Sequence, residues 1–289
     1  MTTLGTTIGD VTSKDGTTIG YLRLGRGPGL VFVHGAMQVG RSQIELAQAL
    51  SDDFTCYLPD RRGRGGSGPY GCAYSVEREV EDLDALLAAT GARYAVGISS
   101  GAIITLRTAL TGTALDKIVL FQPPLDIAGS NPTDWLSRFD RELAAGDTTA
   151  ALVTAMRATR MGPSIVMRMP RFLLEGLTVV AQKGQEKAGA DGEPTFSELA
   201  PTLHHDVQVV AETATAGDPF AYRSVGAEVL LLGGGKSPAY LRTALDALQR
   251  VLPRARRVEM AGLGHSATAN TARRGRPERV APEIRAFLA

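Results

Sequence analysis

Four short apolar runs, "GLVFVHG" (29–35), "FTCYLPD" (54–60), "YAVGI" (94–98) and "KIVLFQPP" (117–124), constrain this chain more than any other feature. Each is a near-continuous hydrophobic stretch of strand length, the pattern of a strand buried on both faces. Between them lie "RSQIELAQALSD", "SVEREVEDLDALLAATG" and "SGAIITLRTALTG", which carry apolar residues at helical spacing. Gly91 closes the second of these, as a helix-ending glycine does. Strands alternating with helices of this length predict a mostly parallel sheet with helices on both faces. Upstream, "SKDGTTIGYLRLG" combines a Lys-Asp-Gly turn with alternating residues and predicts an antiparallel hairpin.

After Pro124 the rhythm changes. From about residue 128 to 222 the chain gives helical patterns with no clear strand: "WLSRFDRELAAG", "TAALVTAMRATRM", "PRFLLEGLTVVAQKGQEKAG" and "FSELAPTLHHDVQVVAET". "EVLLLGGG", "PAYLRTALDALQRVLP", "RRVEMAG" and "RPERVAPEIRAFLA" then resume the alternation. The expected organisation is an α/β core of residues 1–127 and 223–289, interrupted by a helical cap over 128–222. The Gly/Ala/Lys-rich "KGQEKAGADGEP" within it is expected to be an exposed loop.

Composition narrows the function. The 289 residues include 31 basic and 30 acidic ones, a balance that argues against a nucleic-acid or anionic-membrane surface. The arginines of "RRGRGG" and "RRGRP" are accordingly expected on solvated faces. Two cysteines are too few for a disulfide framework, and Cys56 in its apolar run is expected to be packed rather than reactive. The N-terminus lacks the basic start and apolar core of a signal peptide, and no apolar run approaches the ~20 residues that span a bilayer. These features predict a soluble, cytoplasmic protein.

Chemistry concentrates in three places. Gly97-Ile98-Ser99-Ser100-Gly101 fits the G-x-S-x-G nucleophile elbow, with a strand before and a helix after. Such a turn strains the serine backbone, and flanking glycines relieve the crowding. The hydroxyl is then held above the sheet edge at the positive end of the following helix. Ser99 is the predicted nucleophile. Backbone N–H groups of Ser100 and of Ala36 or Met37, after "VFVHG", could form an oxyanion hole. Near the C-terminus "GLGHSA" places His265 in a glycine-flanked loop after the last strand, and the order serine first, histidine last suits a catalytic triad.

The pieces "HGAM", "PDRRGRGGSG", "GISSG", "LLLGGGKSP" and "GLGHSA" make the chain resemble the α/β-hydrolase superfamily with a helical cap, across nearly its whole length. The resemblance implies a mostly parallel eight-stranded sheet, Ser99 as nucleophile and His265 as general base. It also implies that Asp60-Arg61-Arg62-Gly63 is a structural turn, that His34 is structural, and that the site is buried between sheet edge and cap. The triad acid departs from the family pattern. The turn after "LLLGGG", where the family most often has an Asp, reads Lys236-Ser237-Pro238. At the end of the sixth strand, where some relatives carry Glu before two prolines, this chain has Gln122. An amide there accepts a hydrogen bond from histidine but supplies no charge, and a comparable carboxylate-to-amide change in a serine protease costs about 10⁴ in turnover. Asp126 is the alternative acid, and Asp246, inside a helical pattern, fits less well.

Within the cap, the methionines at 156, 161, 167 and 169 with Phe172, Leu173 and Leu174 read first as core, though some could line an apolar pocket. His204-His205-Asp206 reads as two surface or interhelical histidines beside a helix-capping Asp. The leading expectation is an enzyme cleaving an apolar small-molecule ester, lactone or thioester through Ser99 and His265. The alternative is a non-hydrolytic enzyme on the same scaffold (a lyase, dehydratase, cyclase or isomerase); a silent ligand-binding protein is a third. No cofactor motif and no metal-ligand spacing occurs. Oligomeric state is not legible.

Overall fold

The computed structural model describes residues 5–111, 115–162, 164–188, 193–215 and 219–289. Its strands are β1 (Thr7–Thr12), β2 (Thr18–Gly25), β3 (Gly29–Val33), β4 (Thr55–Pro59), β5 (Tyr94–Ile98), β6 (Lys117–Phe121), β7 (Glu228–Gly234) and β8 (Ala255–Met260). They form one eight-stranded sheet in the order β1-β2-β4-β3-β5-β6-β7-β8. β1 and β2 pair as the expected antiparallel hairpin and β2 joins β4 antiparallel. From β4 to β8 every pairing is parallel.

Strand alternation divides the core into two layers. Val31 and Val33 of β3 face one side with α2 (Val76–Thr90), α3 (Ser100–Leu110) and α10 (Ala239–Val251). Leu30 and Phe32 face the other, against α1 (Ile44–Leu50) and α11 (Pro277–Leu288). Each fully buried Leu or Phe contributes roughly 1.5–3 kcal/mol relative to exposure, so these two layers dominate the stability of the molecule. α2 ends where the sequence predicts, at Gly91 with φ 66°.

Between β6 and β7 the described elements are helical: α4 (Leu136–Ala144), α5 (Thr148–Ala158), α6 (Ser164–Met167), α7 (Arg171–Ala188), α8 (Phe196–Leu199) and α9 (Leu203–Thr215). They share a small core of their own, in which Phe139, Ala151, Ala155, Leu203 and Val207 are buried and Ala36 and Met37 of the sheet's rim pack against it. The predicted loop "KGQEKAGADGEP" is corrected in its first half, because Lys183–Ala188 continue α7; residues 189–192 lie outside the described residues. Among the described residues no helix is long and apolar enough to cross a membrane.

The arginines of "RRGRGG" correct the sequence reading as well. Arg61, Arg62 and Arg64 are buried, not solvated. Arg62 forms a fork with Asp82, with contacts at 2.6 and 2.7 Å, and reaches Asp15 at 3.0 Å. The Asp60 carboxylate accepts from the N–H groups of Gly40 and Gly66, which fixes the turn that the resemblance implied.

Candidate active site

Strain marks the end of β5. Ser99 has φ 53° and ψ −122°, a conformation costing a non-glycine residue about 1–3 kcal/mol. The surroundings over-determine it: Ser99 N–H donates to Phe121 O at 2.9 Å, and Ala102 N–H donates to Ser99 O at 2.9 Å. Gly101 makes the elbow sterically feasible, since a β-carbon there would collide with the carbonyls of Val33 and His34. A β-carbon on Gly35 would stand 2.9 Å from Ser99 Cβ, so glycine lets the loop after β3 approach the serine.

His265 stands over Ser99. Its Nε2 is 3.1 Å from Ser99 Oγ and its Nδ1 is 2.7 Å from Gln122 Oε1. Gln122 is fully buried at the end of β6, with φ 49°. Its Nε2 donates to Ser237 Oγ at 2.6 Å. With the amide held this way round, Nδ1 of His265 carries the proton and Nε2 is free to accept from the Ser99 hydroxyl. Burial, with the ring stacked near Phe121, lowers the His265 pKa to about 4. Ser99, His265, Gln122 and Ser237 thus form a continuous string in which no member carries charge.

The other predicted acids lie elsewhere. Asp126 accepts from Asn131 N–H at 2.9 Å, closing a loop after β6. Asp246 pairs with Arg257 on the surface. The turn after β7 delivers a hydroxyl, Ser237, at the place where the family pattern favours a carboxylate.

Of the proposed oxyanion donors, the N–H groups of Ala36 and Ser100 have no partner among the described residues, and both residues line the cavity beside Ser99. The Met37 N–H is engaged: it donates to Asp206 Oδ2 at 3.2 Å, with Met37 at φ 53°. This leaves Ala36 and Ser100 as the available pair.

Asp206 is the largest departure from the sequence reading. It is not a helix cap but a buried carboxylate from α9, clamped by Arg61 Nη1 at 2.7 Å and Arg64 Nη2 at 3.0 Å. Arg61 also forms a fork with Glu79 at 2.6 and 3.0 Å and donates to Ser100 Oγ at 3.0 Å. Burial acts to raise the Asp206 carboxyl, but Arg64 and Arg61 override it and bring the pKa down to about 2. His34 is part of the same scaffold: its Nδ1–H donates to Gly35 O, Nε2 accepts from Arg61 N–H, and burial pushes its pKa well down. His204 pairs with Asp140 at 3.0 Å, while His205 packs on Tyr70 and Tyr74. No sequence signal marked Asp206 as the partner of the "RRGR" arginines, because 142 residues separate it from Arg64.

Above Ser99 lies a cavity of about 900 Å³ between the sheet rim and the helices inserted between β6 and β7. Trp135, Met156, Met161, Leu203, Val207 and Val210 give it an apolar wall. Cys56, by contrast, is packed in the sheet with its thiol pKa pushed up to about 12 by burial.

A model of the alpha/beta hydrolase family matches residues 30–283. The chain is 26% identical over 254 residues to 2-(acetamidomethylene)succinate hydrolase of Mesorhizobium japonicum, covering 86% of this chain and 85% of that protein. Among solved structures, an alpha/beta hydrolase of Sphaerobacter thermophilus superposes with a TM-score of 0.79 at 31% identity, covering 97% of this chain and 100% of that one. A meta-cleavage product hydrolase shares the fold at a TM-score of 0.63 and 18% identity, covering 98% of each chain.

Proposed function

The chain belongs to the alpha/beta hydrolase family, and from that premise we propose that it hydrolyses a small, largely apolar ester, lactone or thioester through a Ser99 acyl-enzyme. Relatives named as hydrolases support the reaction class. The observation that carries the reading is the line from Ser99 Oγ through His265 to Gln122, at 3.1 and 2.7 Å.

Ser99 Oγ attacks the substrate carbonyl carbon while its proton passes to His265 Nε2. The developing oxyanion is received by the N–H groups of Ala36 and Ser100, at the positive end of α3. The intermediate collapses by breaking the bond to the leaving group, which takes the proton back from His265. Water, deprotonated by His265, then attacks the acyl carbon and restores Ser99. Gln122 orients the imidazole and holds its tautomer, but it does not neutralise the imidazolium formed in each half-reaction. Turnover is expected to be correspondingly modest. The apolar wall suits the body of such a substrate. Release of nitrophenol from a 4-nitrophenyl ester should fall about 10³-fold or more in Ser99→Ala; equal rates in the two proteins would overturn the proposal.

A second reading rests on Gln122 itself. A neutral relay with a weakly basic histidine suits proton transfer without acyl transfer, as in a lyase, dehydratase, cyclase or isomerase. Labelling with a fluorophosphonate separates the two: covalent capture of Ser99 supports the acyl-enzyme, and an unlabelled Ser99 supports the second reading.

A further inference from the structure

The cavity's charges are unbalanced. Asp206 is the one acidic side chain among its described lining residues, and both of its oxygens are already engaged by Arg61, Arg64 and Met37 N–H. Two basic side chains, Arg160 and Lys236, line the same cavity, and neither makes an ion pair or side-chain hydrogen bond with any described residue.

Both are exposed at the border of that cavity. Lys236 sits in the turn after β7, its backbone N–H fixed to Leu263 O at 2.8 Å. Tyr240, four residues further on, lies in the first turn of α10 and also lines the cavity. Arg160 comes from the cap and acts electrostatically on the Tyr240 phenol, whose pKa burial nevertheless holds up as a neutral donor. One guanidinium, one ammonium and one phenol therefore border the same cavity, which Ser237 of the relay also lines.

Arg160 is fixed at its backbone. It follows the end of α5 at φ 54°, in the left-handed position after a helix where glycine is favoured. That conformation closes the helix: Arg160 N–H donates to Arg157 O at 3.3 Å and Met161 N–H to Met156 O at 3.1 Å, so the backbone is held by its cap and the guanidinium is left without an ion-pair partner among the described residues.

The geometry points to an anion subsite formed by Arg160, Lys236 and Tyr240, so that the substrate of the Ser99 site is an acyl compound bearing a carboxylate remote from the scissile bond. This deepens the hydrolase reading and rests on it for the word substrate, but the subsite itself is tested separately. A carboxylate there gains charge-assisted hydrogen bonds in a partly enclosed space, enough for a preference of about tenfold or more.

The test has a binding arm and a turnover arm. In calorimetry, suberate should bind the wild-type protein and its neutral diamide should not; Arg160→Gln and Lys236→Gln should each weaken suberate binding. In turnover, mono-4-nitrophenyl suberate should exceed 4-nitrophenyl octanoate in kcat/KM by at least about tenfold. That ratio should fall towards one in the double variant and below one in Arg160→Glu. Arg160→Gly guards against a purely structural role: relief of the positive φ should raise Tm while the preference for the acid drops. Turnover of both esters with no preference overturns the subsite and leaves the hydrolase reading standing. Charge-dependent binding of suberate without turnover of either ester does the reverse. Suberate binding unaffected by the Arg160 and Lys236 variants overturns the subsite.

Discussion

Two buried polar assemblies flank Ser99, and they are built on opposite principles. On one side, His265, Gln122 and Ser237 form a string without net charge. On the other, Arg61, Arg64, Glu79 and Asp206 form a dense ionic cluster that touches Ser100, the residue next to Ser99. The ionic cluster has every carboxylate matched to guanidinium, which is the condition under which buried charge is tolerable. The neutral string avoids desolvating a carboxylate but gives up electrostatic support for the imidazolium. Charge in this protein thus holds the scaffold and is absent from the hydrogen-bonded string that begins at Ser99.

The sharpest way to break the contrast is to unbalance the ionic side. Asp206→Ala leaves Arg61 and Arg64 short of their shared carboxylate, and removing one partner from a buried ion pair costs about 3–5 kcal/mol. Chemical denaturation should show a loss of that size. Turnover should drop as well, since Met37 N–H loses its acceptor and the adjoining Ala36 loop loosens. Acid should produce a milder version: the Asp206 pKa is depressed, so its stabilisation is complete above the unfolded value of 3.8 and is lost as the pH falls through about 2.

The complementary change adds charge to the neutral side. Gln122→Glu should raise esterase kcat by about 10–100-fold, a fraction of the effect of the converse change in a serine protease. In the natural protein the acid limb of kcat/KM should lie near pH 4, where His265 protonates, rather than near 6.5. With the introduced carboxylate ionised beside the ring, that limb should move up by about a unit or more. A limb near 6.5 in the unmodified protein would contradict the burial argument. Stability follows the same titration. Between pH 6.5 and about 4 the unfolded chain binds a proton at this histidine that the folded chain does not, so stability falls as the pH drops through that window.

The smallest effect belongs to Ser237→Ala. It removes the acceptor of the Gln122 amide, leaving a buried donor unsatisfied at a cost of about 1–3 kcal/mol. Freed of that bond, the amide can turn its nitrogen towards His265 and favour the wrong tautomer. The kcat should therefore fall while KM holds, and Ser237→Thr, which keeps the hydroxyl, should retain most of the activity.

The difference between the two assemblies also explains what the sequence made legible. Ser99 and His265 sit in local patterns, a strand–turn–helix and a glycine-flanked loop after a strand, so their placement follows from short-range rules. Gln122 was found by its position before Pro123-Pro124. The sheet was equally readable, because β3 to β6 are continuous apolar runs that only a doubly covered sheet can bury. The ionic cluster was not readable. Its arginines lie in a glycine-rich turn that looks solvated, and its carboxylates come from α2 and α9, whose approach depends on tertiary packing. Arg160 and Lys236 were missed for a related reason: an exposed cation beside a helix end is common, and only the cavity gives these two a shared context.

Asp206 belongs to the helical insertion, yet it completes the hydrogen bonding of a loop that leaves β3 and neutralises arginines that follow β4. The insertion between β6 and β7 is therefore not an interchangeable part on this chain. A chimera carrying a foreign insertion would need a carboxylate at that point, or Arg64 would lose its ion-pair partner and Arg61 would keep Glu79 alone. The "DRRGR" turn and the ninth helix are therefore best exchanged as a pair, since each supplies the charge that the other buries.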